Sequence, residues 1–371
     1  MKNIPWAKPL IDKNEIKHIK DCFVNDRFTQ GPKVKLFEKK LQNFLKCKYV
    51  VAVSNGTVAL DLAYKAIGLK GNDEVILPAM SYISTASAIS YQGGVPVFVD
   101  IDPLNNCIDP DKIESAISKK TKAISFIDYG GNPANHKKIF NISKKYNIPI
   151  IHDGAQSLGA YLEKKPLGAN GTISTMSFHM AKIITTIEGG AVFTNSLKYY
   201  KKLLILRNIG ETPSKKYHHV MLGTNARMTE LQAGFGLAQI EKLRYIIKER
   251  NRVAKSYDTI FKNISFVKTL GKLRNAKNAN FFYPIMIPRR DLIAKKLKED
   301  YGIETRVAYS MPIYAQPMYK NQKLKFKKQK CKNTENVAKK ILNLPIYPKM
   351  KDADIKYVGN AIIKLLSFNN L

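Results

Sequence analysis

An alternation of short β-branched runs with helical segments, which begins at residue 49, constrains the fold of this chain most strongly. Among the helical segments, residues 57–67 end before Gly68, and residues 109–118 begin at Asp109 and Pro110. Alternating strands and helices predict an α/β fold, with a mostly parallel seven-stranded sheet between layers of helices. Ligands of such a sheet bind at the carboxyl ends of its strands. The predicted strands are YVVAV (49–53), EVIL (74–77), VPVFVD (95–100), KAISFI (122–127), IPIIHD (148–153), STMSF (174–178) and GAVFT (190–194).

The second half of the chain indicates a further, smaller domain. A long helical pattern covers residues 228–248, and Thr229 followed by Gln232 forms a capping-box start. Beyond residue 250 the chain is rich in Lys, and its 371 residues are enough for two domains. We expect an N-terminal segment packed on the small domain (1–20), a large α/β domain (21–249) and a small α+β domain (250–371).

The net charge is strongly positive, with 62 Lys and Arg against 29 Asp and Glu, or +33. These residues are spread along the chain and only ten are Arg, whereas proteins that recognise nucleic acids cluster Arg on one face. The densest stretch, residues 319–333, is nearly all Lys and is typical of a solvated loop. We therefore expect no nucleic-acid partner, although a positive field would attract acidic metabolites.

The cysteines and the apolar runs indicate a cytoplasmic protein. Cys22, Cys47, Cys107 and Cys331 are scattered, with no CxxC pair and no His at metal-ligand spacing. The N-terminus lacks the apolar core of a signal peptide, and no apolar run approaches 18 residues. We expect neither a metal site nor insertion into a membrane.

Three segments at predicted strand ends carry the residue types of a catalytic site. Ser54 to Thr57 (SNGT) open a helix where backbone N–H groups favour an anion, and Asp153 ends a buried strand. Lys182 lies in an apolar setting, where a desolvated amine has a lowered pKa and can bond an aldehyde. Taken singly, each is also compatible with a structural role, as a capped helix, a turn carboxylate or one surface lysine among 52.

Together these segments resemble a known family. The strand–SNGT–helix unit is followed by LPAMSYISTASA (77–88), HDGAQSLGA (152–160), SFHMAKIITTIEGG (177–190) and GTNARMTELQAGFGLAQIEKL (223–243). Their order and spacing are similar to those of the DegT/DnrJ/EryC1/StrS sugar aminotransferases. The resemblance implies an aspartate-aminotransferase-like fold and the cofactor pyridoxal 5'-phosphate (PLP).

The resemblance assigns the groups around the cofactor ring. Lys182 matches the lysine that binds the cofactor and carries the proton of the reaction. Asp153 matches the carboxylate that pairs with the ring nitrogen, so that the ring withdraws electrons. Gln156 matches the side chain that contacts the phenolic oxygen. Tyr82 occupies the position of an aromatic residue stacked on the ring, although a core aromatic would have the same pattern.

The resemblance also implies a phosphate site shared between two subunits. Gly56, Thr57 and Ser177 match the phosphate-binding residues of one subunit. Asn225 lies in the segment that reaches the phosphate from the neighbouring subunit, although a loop residue that bonds locally would look the same. We therefore expect a homodimer with shared active sites.

The residue at position 182 favours transamination, because the related dehydratases have His there. The pattern SFHxxKxxTTxEGG resembles enzymes that act on 4-keto sugars. This implies transfer of an amino group from L-glutamate, through pyridoxamine phosphate, to C4 of a nucleotide-diphosphate-linked 4-keto-6-deoxy sugar. The reaction would belong to the biosynthesis of an amino sugar for a surface polysaccharide or glycoconjugate.

Three alternatives remain: the same reaction on a 3-keto sugar or cyclic ketone, a dehydratase, and a non-enzymatic basic protein. Asp128, Ile187 and Tyr314 are among the positions that depart from the family's usual residues. Most of these positions are expected near the substrate entrance, so they leave the identity of the sugar open but not that of the cofactor.

Overall fold

The computed structural model describes residues 2–24 and 28–367. Its helices are α1 (Lys13–Lys20), α2 (Pro32–Leu45), α3 (Gly56–Ala66), α4 (Ser84–Tyr91), α5 (His136–Tyr146), α6 (Leu197–Arg207), α7 (Glu230–Phe261), α8 (Arg290–Tyr301), α9 (Pro317–Asn321), α10 (Lys332–Lys340) and α11 (Asp352–Ser367). Its strands are β1 (Tyr49–Val53), β2 (Glu74–Pro78), β3 (Val95–Val99), β4 (Thr121–Ile127), β5 (Ile150–Asp153), β6 (Tyr161–Leu162), β7 (Lys165–Pro166), β8 (Ile173–Ser177), β9 (Gly190–Thr194), β10 (Lys268–Thr269), β11 (Ala276–Lys277), β12 (Pro284–Met286), β13 (Lys327–Lys328) and β14 (Ile341–Asn343).

The large sheet contains all seven predicted strands, in the order β1-β9-β8-β5-β4-β2-β3-β13. β9 runs antiparallel to its neighbours β1 and β8, and the other adjacent pairs are parallel. The sheet has an eighth strand where seven were expected, because the Lys-rich segment places β13 beside β3. Two exposed lysines carry no β-branched or alternating pattern, so their sequence gives no sign of this edge strand.

Two hydrophobic clusters cover the two faces of the large sheet. One cluster contains buried side chains from α2, α5 and α7, and the other contains buried side chains from α3, α4 and α6. Strands buried on both faces are nearly continuous apolar runs, which is why the sequence predicted them with accurate bounds.

The predicted helix at residues 109–118 is wrong. The chain forms two short 3₁₀ turns there, Pro110–Lys112 and Glu114–Ala116, and is extended at Ile117. The Asp109 side chain accepts a hydrogen bond from the backbone of Asp111, as its capping role predicted. Of the two isoleucines in this segment, only Ile113 is fully buried. The segment therefore lacks the continuous apolar face of a helix and forms short turns with i→i+3 hydrogen bonds.

Helix α7 connects the large sheet to a second core. Its capping box forms as predicted, since the side chains of Thr229 and Gln232 each bond the other's backbone. The second core combines the C-terminal half of α7 with α8, α11 and the sheet β10-β12-β14, and Ile4 packs in it. Because α7 is continuous through residue 249, the division of the chain at 249/250 stays a prediction.

Within the described residues, we find no helix that combines the length and apolar character needed to cross a membrane.

The N-terminus of α2 is held by a carboxylate from another helix. Its N-cap residue is Gly31, which has no side chain to cap it. Instead, the buried Glu230 accepts hydrogen bonds from the backbone of Lys33 at 2.8 Å and of Val34 at 2.9 Å. A negative charge at this position satisfies helix N–H groups and opposes the positive end of the helix dipole.

Replacing Glu230 should therefore destabilise the fold. We expect Glu230→Gln to lower the free energy of unfolding by about 2 kcal/mol, because its amide group would face a backbone N–H. Urea unfolding followed by circular dichroism measures this. Glu241→Gln, on an exposed carboxylate of the same helix, should change the free energy by less than about 0.5 kcal/mol. Equal effects of the two substitutions would contradict the capping role.

Candidate active site

The carboxyl edge of the large sheet gathers the segments that the sequence singled out. SNGT follows β1, Tyr82 lies beyond the end of β2, Asp153 is the last residue of β5, and Ser177 is the last residue of β8. Lys182 lies in the loop between β8 and β9. Residues more than 100 positions apart in the sequence therefore meet at one edge, as the topology predicts.

The amine of Lys182 is held in a desolvated position. Its Nζ lies 4.6 Å from the ring centroid of Phe281, and its backbone N–H donates to the carbonyl of His179. Burial of the amine lowers the pKa of Lys182 to about 8, although the negative charge of Asp153 acts in the opposite direction. A lysine with this pKa is partly neutral near neutral pH, so it can act as a nucleophile and as a base.

Asp153 is buried and oriented by hydrogen bonds. Thr85 of α4 donates its hydroxyl proton to Asp153 Oδ2 at 2.8 Å, and the backbone N–H of Ala155 lies 3.2 Å from Oδ1. The hydroxyl of Ser81 lies 2.8 Å from Thr85 Oγ1. Since Thr85 gives its proton to the carboxylate, Ser81 donates to Thr85. The Thr85 hydroxyl on one oxygen and the Ala155 N–H on the other therefore fix the orientation of the carboxylate.

Gln156 lies near Asp153 and contacts Tyr309, a residue that the sequence did not single out. Gln156 Oε1 accepts a hydrogen bond from Gly130 N at 2.7 Å, and Nε2 lies 3.4 Å from the hydroxyl of Tyr309. The ring of Tyr309 is 6.4 Å from that of Tyr82, which is 58% exposed. Both tyrosines border a cavity of about 260 Å³, which is also lined by Ser81, Ile83, Ile313, Gln316 and Met318.

The predicted phosphate-binding residues are in contact. A Cβ on Gly56 would lie 2.6 Å from Ser177 Cβ, so a glycine is needed for β8 and the start of α3 to approach. Asn55 caps α3 by accepting from Val58 N, and Thr57 Oγ1 lies 2.7 Å from Ser84 Oγ. The first N–H groups of a helix have no partner inside it. Together with the nearby hydroxyls, these N–H groups could hold a phosphate.

Asn225 differs from the other predicted residues. Its side chain is exposed, and no hydrogen bond described for the chain joins it to the phosphate-binding residues. Its backbone pairs with Asn208, and the neighbouring Arg227 pairs with Val53 at the end of β1. The structure thus places this segment beside the site without bringing the Asn225 side chain into it.

Several groups around the site could not be found from the sequence. Thr85 is part of a quoted motif but had no feature that set it apart, whereas Phe281 and Tyr309 come from the second half of the chain. A buried cluster of Asp128, His136 and His152 also lies beside Asp153. Such contacts depend on packing between distant segments, and a single sequence does not encode them locally.

Comparisons with known proteins assign the chain to a family. The model of the DegT/DnrJ/EryC1/StrS aminotransferase family matches residues 9–363. The chain belongs to this family.

The GDP-perosamine synthase of Escherichia coli O157:H7 is 32% identical, over 99% of this chain and 100% of that protein. The UDP-2-acetamido-2-deoxy-3-oxo-D-glucuronate aminotransferase of Pseudomonas aeruginosa is 31% identical, over 94% and 98%. The structure of Helicobacter pylori PseC, an aminotransferase involved in the biosynthesis of pseudoaminic acid, superposes with a TM-score of 0.93 at 28% identity, over 99% and 100%.

The DegT/DnrJ/EryC1/StrS family consists of PLP-dependent sugar aminotransferases, and the residues of this chain fit that cofactor. The N-terminus of α3 at Gly56 offers backbone N–H groups, and the close approach of Ser177 brings a hydroxyl beside them, which suits a phosphate group. At the same sheet edge, the buried carboxylate of Asp153 suits a protonated ring nitrogen, and the desolvated amine of Lys182 suits an aldehyde. The donor set therefore matches each end of the cofactor.

The lowered pKa of Lys182 is directly measurable without cofactor. We expect competitive acetylation of Lys182, followed by mass spectrometry of its peptide, to titrate with a midpoint near pH 8. Asp153→Asn should move the midpoint to lower pH, because the lost negative charge no longer stabilises the ammonium form. Asp111→Asn removes an exposed carboxylate elsewhere and should leave the midpoint unchanged. A midpoint near 10.5, the ordinary lysine value, would contradict the burial argument.

Proposed function

We propose that this protein transfers the amino group of L-glutamate to C4 of a nucleotide-diphosphate-linked 4-keto-6-deoxy sugar, with PLP as cofactor. The observation that supports this most strongly is the desolvated amine of Lys182 beside the buried Asp153, at the same edge as the phosphate-binding residues. Transamination with PLP requires an amine that transfers protons, a carboxylate that pairs with the ring nitrogen and a site that binds the phosphate. These residues would supply all three. Such a reaction would contribute an amino sugar to a surface polysaccharide or glycoconjugate.

The residues divide the chemistry between them. When bound, PLP supplies a carbonyl carbon that accepts and releases the amino group, and a ring that stabilises negative charge. Lys182 would move the proton between the substrate carbon and the cofactor, since its pKa of about 8 suits a group that takes and returns a proton. Asp153 would balance the charge of the ring nitrogen, and Gln156 would hold the phenolic oxygen.

Several further contacts would position the cofactor. Gly56, Thr57 and Ser177 would bind the phosphate through backbone N–H groups and hydroxyls. Tyr82 would lie against the ring, beside the cavity that it shares with Tyr309. The pyridoxamine phosphate formed by the first half-reaction would be held by the same contacts until the keto sugar arrives.

The position of the ketone has a second candidate. The name of the Escherichia coli relative, GDP-perosamine synthase, and the pattern around Lys182 favour a 4-keto sugar. The Pseudomonas aeruginosa relative, by its name, acts on a 3-oxo sugar and is about as similar in sequence. The same residues would catalyse amination at C3 of a sugar, or of a cyclic ketone, if the substrate were bound one ring position further round.

We also propose a homodimer in which Asn225 completes the partner's phosphate site. Apolar side chains close to Asn225 in the sequence are strongly exposed, among them Tyr217 at 79% and Leu222 at 88%. Met180 and Ile187, on either side of Lys182, are exposed as well. Exposed apolar groups around a site favour a protein contact there, and a twofold dimer would cover both sets at once.

The proposed compartment is the cytoplasm. All four cysteines are free thiols, which fits a reducing environment, and three of them are buried.

The first test is the visible absorption spectrum of the purified protein with PLP. We expect PLP to produce a visible band that L-glutamate then removes, because the first half-reaction changes the cofactor. Lys182→Ala should lack the band. Lys202→Ala, which alters a lysine bonded to the carbonyl of Ala66 outside the site, should behave as wild type. Absence of the band in the wild-type protein would overturn the proposed function.

The product then decides between the two ketone positions. Nuclear magnetic resonance of the product from a panel of 4-keto and 3-keto sugar nucleotides would locate the new amine. Amination at C3 alone would replace the first candidate by the second.

The shared site can be tested by mixing inactive subunits. We expect co-expressed Lys182→Ala and Asn225→Ala chains to recover about a quarter of wild-type activity, because about half of the dimers are hybrids with one intact site. Lys182→Ala mixed with Ser177→Ala should recover nothing, since both residues would serve the same site from one chain. Absence of recovery in the first mixture would contradict a role for Asn225 across the interface.

A further inference from the structure

Asp128 is a fully buried carboxylate at the end of β4 with four hydrogen-bond donors around it. Oδ1 lies 2.9 Å from the backbone N of Ala134 and 2.8 Å from His136 Nε2. Oδ2 lies 3.0 Å from His152 Nε2 and 2.7 Å from Ser157 Oγ. An ionised carboxylate only accepts, so each of these groups donates to it.

Hydrogen bonds rather than a metal ion account for this cluster. The three side chains could ligate a metal, since their ligand atoms lie within 4.8 Å of one another. However, the Nδ1 atoms of His136 and His152 are buried and have no hydrogen-bond partner within residues 2–24 and 28–367. Metal-bound histidines nearly always donate their other ring N–H to an acceptor. Neither Nδ1 atom has such an acceptor among the described residues, which favours hydrogen bonds to Asp128 over a bound metal.

The charge of Asp128 is well supported in this pocket. Burial by itself would raise the pKa of Asp128, but the interactions with His136 and His152 outweigh it and hold the pKa well below its ordinary value. The ring of Phe126 stacks on His152 with centroids 4.5 Å apart and meets His136 edge-on at 4.8 Å. The cluster is therefore closely packed as well as charged.

The Oδ2 atom of Asp128 bonds His152 and Ser157, which are the sequence neighbours of the proposed cofactor-binding residues Asp153 and Gln156. His152 immediately precedes Asp153, and Ser157 immediately follows Gln156. The turn between Asp153 and Gln156 is thus anchored at both ends by one oxygen atom, which the donors reach at 3.0 and 2.7 Å.

The backbone after Asp128 makes a separate contact with the same turn. Residues Tyr129–Gly131 form a 3₁₀ turn, with positive φ at Gly130 and Gly131. The N–H of Gly130 donates to Gln156 Oε1 at 2.7 Å. This bond fixes the orientation of the amide, so its Nε2 is directed away from Gly130 and towards Tyr309.

We propose that Asp128 is a positioning residue for the cofactor, acting through His152, Ser157 and Gly130 to fix Asp153 and Gln156 in the geometry that binds the ring. The inference rests on the proposed function, because it concerns the PLP site. Asp128 itself does not touch the cofactor, and its contribution is the placement of two groups that do. Small displacements of such contacts weaken binding even when the fold is retained.

The test compares Asp128→Asn with a matched substitution at Asp100. Asp100 is also a buried carboxylate with four donors, namely the backbone N–H groups of Ile101, Asn333 and Thr334 and the hydroxyl of Thr334. It caps the N-terminus of α10. Within the described part of the chain, Asp100 makes no hydrogen bond to a proposed cofactor-binding residue. The half-saturating PLP concentration, the wavelength of the bound-cofactor band and the melting temperature without PLP are measured for both variants.

We expect both variants to melt at lower temperature, since each places an amide where four donors converge. Only Asp128→Asn should raise the half-saturating PLP concentration, by about tenfold, and shift the absorption maximum. Equal PLP binding by Asp128→Asn and wild type would overturn the proposal. So would an equal loss of PLP binding in Asp100→Asn, because the effect would then be general destabilisation.

Ser157→Ala provides the second variant in case Asp128→Asn does not fold. It keeps the buried charge and removes only the anchor that follows Gln156. We expect it to raise the half-saturating PLP concentration by about threefold with little change in melting temperature. Unchanged binding would overturn the route through Ser157. If the wild-type chain bound no PLP at all, the proposed function would fail, and this inference would fail with it. If the wild-type chain bound PLP and the variants bound it equally well, only this inference would fail, so the two failures can be told apart.

Discussion

The candidate active site depends on keeping two opposite charges desolvated and close together at one edge of a mostly parallel sheet. Removing water from Lys182 lowers its pKa to about 8, and the charge of Asp153 limits that decrease. If the amine were more exposed it would be fully protonated, and if the carboxylate were absent its pKa would fall further. The position of β5 beside β8 produces this balance, because Asp153 ends one strand and the Lys182 loop follows the other.

The surrounding structure serves to hold that pair and its neighbours in place. Thr85 reaches Asp153 from α4, and Asp128 bonds the residue that follows Gln156. The proposed phosphate-binding residues depend on a different constraint, the close approach of α3 to the sheet. A Cβ on Gly190 would collide with the carbonyl oxygen of Asn55, and one on Gly56 would collide with Ser177, so glycines on both sides permit this approach.

The sequence predicted well what depends on local patterns. The seven large-sheet strands were recognisable because both faces are buried, and the capping box of α7 because its two residues are three positions apart. It failed where burial overrode local pattern, as at residues 109–118, and where edge pairing carried no pattern, as at β13. The contacts of Thr85, Phe281 and Tyr309 could not be predicted, because they join segments that are adjacent only in the folded chain.

The sequence by itself determined the class of the fold, the family and the residue types placed at each strand end, because strand periodicity and ordered motifs are properties of short segments. The tertiary structure decided how those residues act. Whether Lys182 is a surface ammonium or a reactive amine depends on the ring of Phe281 and the charge of Asp153, which come from distant parts of the chain. Desolvation, hydrogen-bond direction and charge proximity are set by three-dimensional packing, so these properties emerge only when the segments are brought together.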